Sequence, residues 1–187
     1  MIERILTCEF SICLLPNEEI TSDVNSLREE LPKSPYRDDI PHITLLRGIT
    51  ANDDLSDDAL VQKIDSTLAI SNKLPLDGSV HTIANASNQF YSSSSGIILR
   101  ASPELLEFRK QAAAQLEMRG FSVEAQELAF FVPHITIRLG VPLTGDSLSK
   151  AEALFSGRKV TFSHWLLFRL VKQNDNRIMH EVWPDQT

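Results

Sequence analysis

The tetrapeptide Pro-His-Ile-Thr occurs twice in this chain, at residues 41–44 and again at 133–136. The chain holds 187 residues and five histidines, His42, His81, His134, His164 and His180. Two of the five therefore stand among identical neighbours, separated by about half the chain. A repeat at that distance limits the folds available, because one α+β unit has to be buildable twice from this sequence.

The hydrophobic pattern supports that division. Phe10–Leu15 is a short apolar run bounded by Pro16, which predicts a buried strand. Ile20, Val24, Leu27 and Leu31 recur at helical spacing, and Pro32 ends that helix. His42–Leu46 is extended and β-rich. Ser56 is placed to N-cap a helix carrying Leu60, Val61, Ile64 and Leu68, and Leu74–Ala84 predicts a strand with a turn or bulge near Gly78. The order then recurs: a strand at Gly96–Arg100, a helix opened by Ser102 and Pro103 and closed by Gly120, and a strand at His134–Leu139. A short helix closed by Gly157 and a strand at Val160–Val171 follow, and Arg177–Trp183 completes a final hairpin. Each half reads strand, helix, Pro-His-Ile-Thr strand, helix, strand. The expected architecture is a single α+β domain over 1–187, with two lobes related by a pseudo-twofold axis.

Composition bounds the function classes. The net charge of −7 disfavours binding of long nucleic acid through a broad basic face, which needs many Lys and Arg contacts to phosphates. A small anionic substrate or a nucleic-acid end needs only a local cluster of donors. Cys8 and Cys13 lie at an odd offset in one predicted strand, hence on opposite faces, so no disulfide between them is expected. Two buried thiols fit a reducing compartment. The sequence shows neither a signal-peptide pattern nor an apolar run of bilayer length, so a cytoplasmic monomer without a membrane partner is the expectation.

Along a strand, residues i and i+2 share a face. His42 and Thr44 therefore point one way and Ile43 and Leu45 the other; the same holds for His134 and Thr136 against Ile135 and Ile137. If the polar faces oppose each other, they enclose two imidazoles and two hydroxyls. Such a set suits phosphodiester cleavage. One imidazole takes a proton from the attacking oxygen, the other protonates the leaving oxygen, and the hydroxyls donate to the non-bridging oxygens. A positioned acid or base contributes roughly 10²- to 10⁴-fold each. The scheme calls for no metal and no cofactor. A single His-x-Thr in a strand would more often be a structural histidine; two symmetric copies shift the balance to a paired site.

The motifs "HITL" (His42–Leu45) and "HITI" (His134–Ile137) resemble the hallmark of the 2H phosphoesterase superfamily. The prolines before both histidines and the opening "SICLLPNEE" are similar as well. This superfamily includes LigT-like 2′-5′ RNA ligases, RNA-end phosphodiesterases and cyclic nucleotide phosphodiesterases. The resemblance implies a bilobal fold with two antiparallel sheets and outer helices around a central groove. It implies His42 and His134 as the acid/base pair and Thr44 and Thr136 as phosphate binders. The implied substrates are 2′,3′- or 1″,2″-cyclic phosphates, 2′-5′ linkages or RNA ends. The chain's size and its ending "FRLVKQNDNRIMHEVW" lean towards the cyclic phosphodiesterase branch. The alternatives are a 2′-5′ RNA ligase or phosphodiesterase acting on RNA ends and a non-catalytic nucleotide-binding module.

Other candidates depend on register. Arg138, at i+4 from His134, shares the catalytic face by alternation and could grip a phosphate, with a salt bridge as the competing role. Arg47 falls on the opposite face unless a bulge resets the count. Phe90 and Tyr91, in a polar loop, could stack on a base, which places Tyr91 among the substrate-binding candidates. His81, His164 and His180 lack a Thr at i+2. The run Ser92–Ser95 reads as a flexible turn.

Overall fold

The computed structural model describes residues 8–36, 38–51, 55–86, 94–123, 131–173 and 176–184. The strands are β1 (Cys8–Pro16), β2 (Ile43–Ala51), β3 (Leu76–Ala86), β4 (Ser94–Ala101), β5 (His134–Leu139), β6 (Lys159–Gln173) and β7 (Asn176–Val182). The helices among the described residues are α1 (Glu18–Glu30), α2 (Asp57–Leu68), α3 (Ile70–Lys73), α4 (Pro103–Met118) and α5 (Asp146–Phe155).

Local chemistry sets the helix ends. The Ser56 hydroxyl accepts from the Ala59 amide, and the Ser102 hydroxyl from the Leu105 amide at 3.1 Å, with Pro103 in the first turn. Leu31, the residue before Pro32, turns extended and stops α1. Gly157, at φ +70°, follows α5. The irregularity in β3 lies at His81, three residues beyond the glycine expected to cause it: the β3–β4 register jumps between Val80 and Thr82.

All ladders are antiparallel, and the order is β2-β1-β6-β3-β4-β5, with β7 paired to the later residues of β6. The resemblance implies two sheets; hydrogen bonding joins them into one. The reason is the length of β6. Its first residues pair with β3, its middle with β1 and its end with β7, so one strand serves both groups. Exchanging β1 with β4, β2 with β5 and β3 with β6 turns the strand order into its own reverse. The two Pro-His-Ile-Thr strands thus occupy equivalent places at the two ends of the order. The sheet bends enough for these end strands, β2 and β5, to touch each other.

The main core lies between the sheet and the helices and includes Phe10, Ile12, Leu14, Ile20, Leu27, Ile43, Ile97, Leu105, Ile135, Phe155 and Phe162, all essentially inaccessible to water. The opposite face of β1 and β6 carries a second, small cluster of Cys13, Leu15, Leu166 and Phe168, capped by Ile40. Three of its members lie beside the first Pro-His-Ile-Thr copy: Phe168 against His42, Cys13 against Thr44, and Ile40 in the cleft that His42 lines. Gly140, directly after β5, has φ +70°, and a Cβ there would lie 2.9 Å from the Tyr36 ring. Gly140→Ala should therefore destabilise the fold by at least about 1 kcal/mol through left-handed strain alone. Thermal denaturation checks this; an unchanged melting temperature would contradict it.

Candidate active site

Both copies of Pro-His-Ile-Thr place their histidine in the same way. His42 Nδ1 lies 2.7 Å from the Ile40 carbonyl oxygen, and His134 Nδ1 lies 3.0 Å from that of Val132. A carbonyl only accepts, so Nδ1 carries the hydrogen in both rings. The accepting residue is two positions back in each case, across Pro41 or Pro133, whose fixed φ stiffens the short unit. Each imidazole is thus locked with Nε2 free of this bond. Nε2 accepts a proton when the ring is neutral and donates one when it is charged.

His42 from the first copy and Thr136 from the second line one cleft, together with Arg28, Asp38, Asp39, Ile40 and Leu139. The two rings differ in surroundings. His134 is exposed, whereas His42 is half-buried with its ring against Phe168, centroids 4.8 Å apart. Burial holds the His42 imidazole below the ordinary histidine value; the Ile40 hydrogen bond and Asp39 oppose this, and the charges of His134 and Arg28 add to it. His134 is therefore near enough to act electrostatically on His42. Thr44 is half-buried, its Oγ1 4.0 Å from the Cys13 sulfur, which donates. Burial pushes the Cys13 thiol up, so it stays protonated and leaves the threonine's own hydrogen for another acceptor.

Simple alternation fails just past each threonine. In β2 the ladder pairs Thr44 with Cys13 and Leu46 with Ile12, skipping Leu45. In β5 it pairs Thr136 with Gly96 and Arg138 with Ser95, skipping Ile137. Each strand therefore carries a bulge at the equivalent residue. The bulge turns Arg138 away from the Thr136 face. Arg138 is buried, with Nη1 donating to the Leu31 and Pro32 carbonyls and Nη2 to Asp38 at 2.9 Å. The salt-bridge role replaces the phosphate grip expected from alternation. By the same reset Arg47 falls on the Thr44 side of its strand, where it is exposed.

His81 and His164 are exposed on β3 and β6, and His164 lines a wider groove. Phe90 and Tyr91 lie outside the described residues, as does the side chain of His180. Ser94 and Ser95 open β4 instead of forming a turn, and Ser95 is buried. The sequence reading missed Arg28, Cys13 and Phe168. Cys13 and Phe168 carried a signal only in hindsight, as alternate residues of apolar strands. Among the described residues, no three His, Cys, Asp or Glu side chains gather into a set able to hold a metal ion. None of the described helices is long and apolar enough to cross a membrane.

The profile of the 2′-5′ RNA ligase superfamily matches residues 16–170, a span that contains both histidines. The chain belongs to this superfamily. Its two His-x-Thr motifs agree with the resemblance to 2H phosphoesterases, enzymes acting on phosphodiester bonds. Solved structures share the fold over nearly the whole chain. A structure described as a phosphoesterase has 13% identity and TM-score 0.52, covering 94% of this chain and 95% of the other. Escherichia coli LigT complexed with NADP+ has 12% identity and TM-score 0.52, with coverages of 94% and 96%. A protein from Thermus thermophilus has 14% identity and TM-score 0.52, with coverages of 93% and 94%. At such identities the likeness is one of fold. No curated protein matches the chain by sequence.

Proposed function

We propose that this superfamily member is a metal-independent phosphodiesterase that opens a small cyclic nucleotide phosphate or a related RNA-end phosphodiester. The observation that carries the reading is the matched locking of His42 and His134 through Nδ1, which dedicates Nε2 of each ring to proton transfer. His42, held below the ordinary value by burial, is the neutral ring at neutral pH and serves as base towards the attacking water. His134, open to solvent, protonates the leaving oxygen. Thr44 and Thr136 donate to the non-bridging oxygens, where the transition state carries its charge.

Ile40 links the cleft to a wider groove bordered by Leu15, Asn25, His164 and the partly exposed Trp183. The groove has room for the nucleoside part of a substrate. Glu18, Glu19 and Glu29 on its rim repel a long polyanion, which favours a small substrate over an extended RNA.

The test is a panel of 2′,3′-cyclic nucleotides, ADP-ribose 1″,2″-cyclic phosphate and short 2′-5′ and 3′-5′ oligonucleotides, assayed with excess EDTA. Turnover of a cyclic phosphate at an unchanged rate in chelator is the expected result. Activity abolished by EDTA and restored by Zn²⁺ or Mn²⁺ would overturn the metal-independent scheme.

A further inference from the structure

Among the described residues β2 has a ladder only with β1, apart from a single bridge of Thr50 to Ser122, and β5 has one only with β4, so beside its bulge each Pro-His-Ile-Thr strand has an edge with no ladder partner. Two arginines reach those strands. Arg28, on α1, crosses to β5: its Nε donates to the Ile137 carbonyl at 2.6 Å and its Nη2 to the Thr136 carbonyl at 3.0 Å. Arg109, on α4, crosses to β2: its Nε donates to the Leu45 carbonyl at 3.0 Å. Leu45 and Ile137 are equivalent residues, each the first past its threonine and each skipped by its ladder. The helices are equivalent too, since α1 joins β1 to β2 and α4 joins β4 to β5. Each arginine thus leaves its own half and binds the bulge of the other.

Both side chains are buried, at 8% and 6% exposure. A buried guanidinium is costly unless its donors are satisfied, and a strand edge facing a cleft needs donors for its carbonyls. Arg28 meets both needs, with Nη1 also donating to Asn25 and to the Asp39 carbonyl. Arg109 stacks its guanidinium over Phe131, 4.5 Å from the ring centre.

We propose that Arg28 and Arg109 are positioning residues forming a reciprocal cross-brace, each setting the place of the other half's His-x-Thr strand and so the separation of the two imidazoles. This rests on reading His42 and His134 as the proton-transfer pair. The arginines act indirectly, since their bonds go to backbone carbonyls two or three residues from the histidines.

Methionine and lysine variants at each position test the brace. Arg28→Met and Arg109→Met should each lower kcat at least ~10-fold with a smaller change in KM, since small misplacements of catalytic groups are expensive in rate. The lysine variants, able to reach one carbonyl, should recover part of the loss. The pH profiles should differ. The charged groups acting on His42 are Asp39, His134 and Arg28. Arg28→Met removes a cation that holds His42 down, so the acid limb should move to higher pH; Arg109→Met should leave it in place. NMR of the imidazoles needs no substrate: Arg109→Met should shift the His42 ring signals through β2 alone. If the wild type turns over nothing in the panel, the functional reading fails and the ring signals still decide the brace. Folded variants with unchanged His42 signals and unchanged kcat would overturn it. So would loss of a cooperative melt in both lysine variants, because the arginines would then be supports of the whole fold.

Discussion

Replacing either His42 or His134 with alanine should lower kcat at least ~100-fold while the protein stays folded. Each ring is tied to the backbone by one hydrogen bond from Nδ1, and neither belongs to the main core, so truncation removes a proton carrier without opening a large cavity. The two should act as a unit, so the double variant should fall little below the slower single one. Steady-state kinetics on the substrate found in the panel, with circular dichroism and melting curves alongside, make the measurement. A single variant near the wild-type rate would remove the paired mechanism. Unfolding of either variant would mean the motif serves packing.

The rate should trace a bell in pH whose acid limb lies below the ordinary histidine value of about 6.5. The sign follows from the roles. His42 must be neutral to accept a proton, and burial lowers its pKa, so it stays competent as the pH falls past the point where a free histidine would be charged. Below that lowered pKa the rate should drop about tenfold per unit; the alkaline limb comes from deprotonation of the acid partner. Phe168→Ala gives a control. The Phe168 ring packs against His42, and its removal lets water reach the imidazole, which should move the acid limb upward. A rate that rises with pH and never falls would need a base and no general acid, and would end the scheme. An acid limb unmoved in Phe168→Ala would show that burial is not what sets the His42 pKa.

Much of this was legible locally. The helix caps at Ser56 and Ser102 and the stop at Pro32 depend on neighbours within a few residues, and the structure places them as the sequence suggests. The extent of the sheet was less legible. That β6 joins both strand groups follows from which strands reach its two ends, a matter of tertiary contacts between residues far apart in the chain.

The sequence by itself determined the element order, the duplicated tetrapeptide and the side chains it offers to a site: two imidazoles, two hydroxyls, prolines holding each histidine's neighbour in place. These are properties of period and local geometry, and period is written in the chain. Only the tertiary structure decided which residues surround them. Alternation put Arg138 on the Thr136 face and Arg47 off the Thr44 face; the bulges at Leu45 and Ile137 reversed both placements, because a bulge records a mismatch between paired strands and leaves no mark on either strand alone. The difference between the two identical motifs also arises there. Phe168 and Arg28 close around His42 while His134 stays open, and this unequal burial, absent from two copies of the same four letters, is what the proposed division into base and acid rests on.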